Sequence, residues 1–136
     1  MPDVRAAAKA VIFHNGKILV LKEQIGGQSV WDIPGGKIEF GETPEQTLHR
    51  EVKEELAIEV EIQKFLGVWW FVTQNKEHQI ICTTYLCVPK NLDIDLTKNP
   101  APNEHIEEVL WLSPQDFLEQ ANGKINGSLF ELVKLI

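Results

Sequence analysis

Residues 34–58 read P-G-G-K-I-E-F-G-E-T-P-E-Q-T-L-H-R-E-V-K-E-E-L-A-I. Within them, Thr43-Pro44-Glu45-Gln46 has the form of a capping box, with Thr at the N-cap, Pro at the first helical position and Gln at the third. The spacing predicts a helix that starts at Pro44 and ends near Leu56. Leu48, Val52 and Leu56 recur at i, i+4 and i+8 and form its core-facing stripe. At about 100° per residue, Glu51, Glu54 and Glu55 fall within an arc of about 100° beside that stripe. Each like-charge pair at i,i+3 or i,i+4 costs roughly 0.2–0.5 kcal/mol in an isolated helix. The three also sit near the helix C-terminus, where the macrodipole disfavours negative charge. Arg50 can reach Glu54 at i+4, but it cannot neutralise all three. A divalent cation would resolve the conflict. Clustered hard oxygen ligands suit Mg2+ or Mn2+, which keep several waters and take further oxygens from substrate phosphates. The bland alternative is a glutamate-rich solvated face. Against it, the acidic stripe borders the core face, and a Gly35-Gly36 loop precedes it, where backbone can approach a ligand closely.

The flanking segments read as one mixed α/β domain of the α+β class, spanning residues 1–136. Residues 6–13 are small and apolar and predict a strand. Asn15-Gly16 is a two-residue hairpin signal, and residues 17–21 are the return strand. A short strand over residues 30–33 ends at Pro34-Gly35-Gly36. After the helix, residues 58–65 and 68–72 predict two strands, and residues 79–88 a long one closed by Pro89. Residues 91–103 read as a loop, and residues 109–112 as a short strand. Ser113-Pro114 opens a helix over residues 115–121, stopped by Asn122-Gly123. A last helix is expected over residues 128–136.

Thirteen Lys and Arg face twenty Asp and Glu, for a net charge of −7. The basic residues are scattered, so no polymeric nucleic acid is expected as a partner. An acidic protein can still act on a small phosphate-bearing molecule if a cation lies between them. With 43% hydrophobic and 24% charged residues, the composition is that of a folded globular chain. No apolar run approaches the roughly 18 residues needed to cross a bilayer, so no membrane partner is expected. Residues 1–10 carry Asp3, Arg5 and Lys9 and no long apolar core, which argues against a secretory signal. Cys82 and Cys87 lie in an apolar run and read as buried free thiols, which fits a reducing, cytoplasmic setting. The four histidines show no ligand spacing. Oligomeric state stays open, a homodimer included.

Gly36-x5-Glu42-x7-Arg50-Glu51-Val52-x-Glu54-Glu55-x-Ala57-Ile58 resembles the Nudix box, G-x5-E-x7-R-E-U-x-E-E-x-G-U. Every fixed position matches except the last Gly, which is Ala57 here. At about 7% per residue type, six such matches at one start arise by chance on the order of 10⁻⁷. The box covers 23 of the 136 residues. Pro34-Gly35-Gly36-Lys37 and the segment from Gly41 to Gln46 are similar to MutT-like members in particular. The family's Gly at position 57 would supply a left-handed helix cap. An L-residue there costs roughly 1–2 kcal/mol if that geometry is kept.

The resemblance implies a Nudix-type α-β-α sandwich with a mixed β-sheet between helices. It implies hydrolysis of a pyrophosphate bond in a nucleoside diphosphate-linked small molecule, with a divalent metal, Mg2+ or Mn2+, as cofactor. On the same ground Glu51, Glu54 and Glu55 are expected to hold metal, with the Gly35 or Gly36 carbonyl. Arg50 orients a carboxylate, and Glu42 supports the loop. The general base is a glutamate, and members of the family differ in which. Glu51 and Glu54 are candidates inside the box, and Glu104 outside it, with Glu107 and Glu108 as alternatives. Features of other subfamilies are missing. ADP-ribose-type members carry a proline well downstream of the box, where this chain has Thr73-Gln74-Asn75. Exclusion leaves a MutT-like nucleoside triphosphate pyrophosphohydrolase. Another NDP-linked substrate, and a catalytically silent nucleotide-binding module, are the alternatives. Candidates for the base pocket are Trp31, Trp69 and Asn122. Trp31 and Trp69 serve equally as core residues, and Asn122 as an ordinary helix stop.

Overall fold

The structure is a computed structural model that describes residues 1–25, 27–100, 105–121, 124–125 and 128–136. Among the described residues seven strands appear: β1 (Asp3–His14), β2 (Lys17–Ile25), β3 (Gln28–Asp32), β4 (Gly35–Lys37), β5 (Val60–Val72), β6 (His78–Pro89) and β7 (Ile106–Leu112). The helices are α1 (Pro44–Leu56), α2 (Pro114–Gln120) and α3 (Leu129–Val133), and a 3₁₀ turn spans Leu96–Lys98. The strands run in the order β3-β2-β1-β6-β5, with β4 added to β1 and β7 to β2. β1 and β6 are parallel and the other pairs antiparallel, so the sheet is mixed.

The β1–β2 hairpin turns at Asn15 and Gly16, with φ of 51° and 76°. Positive φ at both central residues is what a type I′ turn demands, and Asn-Gly supplies it at little strain. Alternation along β1 and β2 then sends side chains to two separate cores. Ala8, Ala10, Ile12, Leu19 and Leu21 pack with Leu48, Val52 and Leu56 of α1. Ala7, Val11, Ile18 and Val20 pack with Phe117 of α2 and Leu129, Leu132 and Val133 of α3. Helices therefore cover both faces of the sheet, as the α-β-α arrangement requires. The three apolar residues of α1 are fully buried, and each contributes about 1.5–3 kcal/mol by leaving water.

Several boundaries differ from the sequence expectation. Gly35-Gly36 does not form a loop: Gly35–Lys37 is a short strand paired antiparallel with residues 7–9 of β1. The strands expected at residues 58–65 and 68–72 are one strand, β5, with register shifts at Ile62/Lys64 and Phe65/Gly67. Each extra residue flips the face that following side chains present, which makes one strand look like two. The residues preceding Val109 belong to β7, which begins at Ile106. The last helix is shorter than expected, at Leu129–Val133. Cys82 and Cys87 are free and buried, and burial pushes both thiols up to about 12. Among the described residues no helix is long and apolar enough to cross a membrane.

Candidate active site

The capping box fixes where α1 begins. Thr43 Oγ1 accepts from the Gln46 N–H at 3.2 Å, and Gln46 Oε1 accepts from the Thr43 N–H at 2.9 Å. The other end closes on Ala57, which takes the left-handed conformation at φ 60°, ψ 28°, its N–H bonded to the Lys53 carbonyl. The expected left-handed cap is thus kept without glycine.

Arg50 stands at the centre of the acidic cluster. Its Nε donates to Glu42 Oε2 at 2.8 Å and its Nη2 to Glu42 Oε1 at 2.9 Å, a two-pronged pair. Nη1 donates to Glu51 Oε1 at 2.9 Å and approaches Glu54 Oε2 at 3.4 Å. Glu42 also accepts from Thr47 Oγ1 and from the Glu39 N–H. The Arg50 guanidinium holds the Glu42 carboxyl down to about 2. Glu42 in turn raises the pKa of Arg50, against the opposing effect of burial. Arg50 therefore meets Glu51 and Glu54 of the helix's acidic stripe and two carboxylates outside the helix, Glu42 and, at 3.8 Å, Glu39.

The remaining carboxylate is held differently. Glu55 is 3% exposed and its Oε1 accepts the Gly35 N–H at 2.8 Å. Glu51 lies against Gly36 so tightly that a Cβ there would sit 2.5 Å from its carboxyl carbon. The β4 glycines thus bring backbone into contact with both carboxylates.

Glu51 and Gly36 line an open cleft of about 380 Å³, completed by Ala7, Lys9, Lys37, Phe71, Thr73 and Ile80. That volume lies within the usual range for a small-molecule site. Of these, Lys9, Lys37 and Thr73 were not singled out for the site in the sequence. Lys9 left a signal: it is the one charge within the apolar run from Ala6 to Phe13. Lys9 is 6% exposed and donates to Asp32 Oδ2 at 3.0 Å and to the Ile33 carbonyl at 3.3 Å. Burial opposes its charge, but the Asp32 and Glu55 carboxylates outweigh that and raise its pKa.

A second, smaller recess is lined by Glu23, Val30, Trp31, Asp32, Trp69, Phe71 and Ile125. Trp31 and Trp69 are at once core residues, 6% and 2% exposed, and walls of this recess. Trp69 stacks on Phe71 at 5.4 Å, while Trp70 points to the opposite face and is half exposed. Lys124 Nζ lies 4.4 Å above the Trp31 ring. Glu104 and Asn122 lie outside the described residues. Glu107 and Glu108 are exposed on β7 and pair with Lys22 at 3.8 and 3.3 Å.

A family model, the NUDIX domain, matches residues 3–133. The chain belongs to the Nudix family. This Nudix chain is 30% identical over 115 residues to a MutT-like protein of Streptomyces ambofaciens, covering 85% of the chain and 67% of that protein. It is 28% identical over 131 residues to the phosphatase NudJ of Escherichia coli K12, covering 89% of the chain and 74% of that protein. Its fold matches a solved MutT protein from Methanosarcina mazei with a TM-score of 0.80 at 22% identity, covering 98% and 93% of the two chains.

The protein is thus a Nudix hydrolase acting on nucleoside diphosphate-linked small molecules, and Nudix hydrolases generally use a divalent metal. Its residues fit such a metal. The Glu51 and Glu55 carboxylates sit against the β4 backbone at Gly36 and Gly35, hard oxygen donors of the kind such a cation takes. Among the described residues no three His, Cys, Asp or Glu side chains form a ready-made cage. Mg2+ sites seldom have one, since waters and phosphate oxygens complete them.

Proposed function

We propose that this Nudix hydrolase is a MutT-like nucleoside triphosphate pyrophosphohydrolase that uses Mg2+ or Mn2+. Water attacks a phosphorus of the α–β anhydride and gives up a proton, the bridging P–O bond breaks, and a nucleoside monophosphate and pyrophosphate leave. The observation that carries the reading is the placement of Glu51 and Glu55 against the β4 glycines, beside a cleft lined by Lys9 and Lys37. Glu51, Glu54 and Glu55 would hold the metal, with a backbone oxygen of Gly35 or Gly36. Bound there, it stabilises charge on phosphate oxygens and acidifies water.

Arg50 acts as a positioning residue: its bonds to Glu42, Glu51 and Glu54 set where those carboxylates point. The carboxylate that takes the proton from water is Glu51 or Glu54, or Glu104 from the segment before β7. The recess lined by Trp31 and Trp69 offers aromatic faces to a nucleobase, and Asn122 is the proposed polar reader of its edge. We take residues 1–136 as one catalytic domain. Its free buried thiols support a cytoplasmic setting.

The test is a panel of nucleotides with Mg2+, and with chelator as control. Natural and oxidised triphosphates, ADP-ribose, nucleotide sugars and dinucleoside polyphosphates belong in it. Pyrophosphate released from a triphosphate, lost with chelator and in Glu55→Gln, is the expected result. Turnover of a nucleotide sugar instead would overturn the triphosphate assignment.

A further inference from the structure

Among the described residues, the most deeply buried charge outside the acidic cluster is Lys9, and no step assigned above uses its ammonium. Burying an ammonium is costly, so its retention calls for a reason. Its nitrogen bonds to the Asp32 carboxylate at 3.0 Å and the Ile33 carbonyl at 3.3 Å. The other Asp32 oxygen accepts the Ile33 N–H at 2.7 Å. Two bonds thus tie the Asp32-Ile33 segment to β1, and a third closes the segment on itself. The next residues fasten to the same strand: the Pro34 carbonyl accepts the Ala10 N–H at 2.8 Å, and Gly35 pairs with Lys9 itself. The Lys9 stem fills the space beside Gly35, where a Cβ would lie 2.8 Å from Lys9 Cδ. The Gly35 N–H, so placed, donates to Glu55.

The pair also reaches both concavities: Asp32 lines the aromatic recess and Lys9 lines the cleft beside Glu51. We infer that the Lys9–Asp32 ion pair is a positioning device: it fixes the Gly35 amide and, through it, Glu55. This rests on Glu55 being a metal ligand. Groups that orient a metal ligand from behind typically change metal affinity by about 10–100-fold when removed.

Charge alone and positioning predict opposite signs. A lysine that merely adds positive charge beside the cleft repels a cation, and its loss strengthens metal binding. A lysine that positions Glu55 does the reverse. The double variant Lys9→Met/Asp32→Asn removes one charge of each sign and leaves no unpaired buried ion, which protects the fold. Mn2+ binding to nucleotide-free protein is measured by electron paramagnetic resonance for wild type, Lys9→Met, the double variant and Glu55→Gln. Thermal unfolding confirms that each is folded. We expect Lys9→Met and the double variant to bind Mn2+ about 10-fold more weakly. In turnover, kcat should fall while KM for nucleotide stays within about twofold, because the loss is in orientation, not in substrate contact. Mn2+ binding in the double variant equal to or tighter than wild type overturns the inference. Equal binding by wild type and Glu55→Gln overturns instead the assignment of Glu55 as a ligand, on which it rests.

Discussion

Gly36 has no side chain, and the Glu51 carboxylate occupies the space that a Cβ would need. At Gly36→Ala the obstacle is the far end of a flexible side chain, so the carboxylate swings aside and the backbone stays. At Gly35 the same substitution would drive a Cβ into the Ala8 carbonyl at φ 141°, where the strand itself must move. The prediction for Gly36→Ala is therefore a nearly unchanged melting temperature and turnover reduced about 100-fold, the usual effect of misplacing a reacting group by about an ångström. Calorimetry and steady-state kinetics on one preparation check both halves. Wild-type turnover would show that Glu51 need not sit against Gly36. At this scale the sequence was legible where the constraint is local. Spacing along one helix brought Glu51, Glu54 and Glu55 together. It also put Arg50 within reach of Glu54, but it could not show that Arg50 is shared with Glu42 or that the Gly35 N–H holds Glu55, because both partners lie outside the helix. Lys9 and Asp32, 23 residues apart, carry no mutual signal at all.

The elements tell a similar story. α1 was legible at its start because the signal there is chemical, a side-chain cap at Thr43; at its end Ala57 carries no such signal, and the left-handed cap was suggested only by the glycine of the resembled motif. β5 was not, because alternation assumes a constant period of two and its two register shifts break the phase. β4 escaped for another reason. Three residues with two glycines have no pattern to read, and only pairing with β1 makes them a strand. The cap at Ala57 carries its own consequence. Its φ of 60° costs an L-residue about 1–2 kcal/mol, which glycine would avoid at some loss to chain entropy. Ala57→Gly should therefore stabilise by about 1 kcal/mol and raise the melting temperature by a few degrees. Activity should stay at the wild-type level, since Ala57 presents no polar side-chain atom to the site. A fall in melting temperature would mean that the helix end opens another way in solution.

For the whole molecule, the fold is a means of bringing one helix and one short strand together. α1 is held by the core on one face of the sheet, and β4 is zipped onto β1 in the middle of it. Because β1 also feeds the opposite core, any shift of α1 against β4 disturbs both hydrophobic layers. The charge distribution sharpens this coupling: on a chain of net charge −7, the Glu51 and Glu55 carboxylates both lie where α1 meets β4. A cation bound there would act on the folded state alone, since unfolding disperses its ligands. Stability should then follow mass action, RT ln(1 + [L]/Kd), or about 2.7 kcal/mol at one hundred times Kd. In calorimetry, saturating Mn2+ should raise the melting temperature of wild type by several degrees over chelator-treated protein. Glu51→Gln should lose most of that rise while keeping the same unfolding enthalpy per residue. An equal rise in both proteins would remove Glu51 from the metal site. No rise in either would mean that the ion arrives only with the nucleotide, its phosphates supplying the decisive ligands.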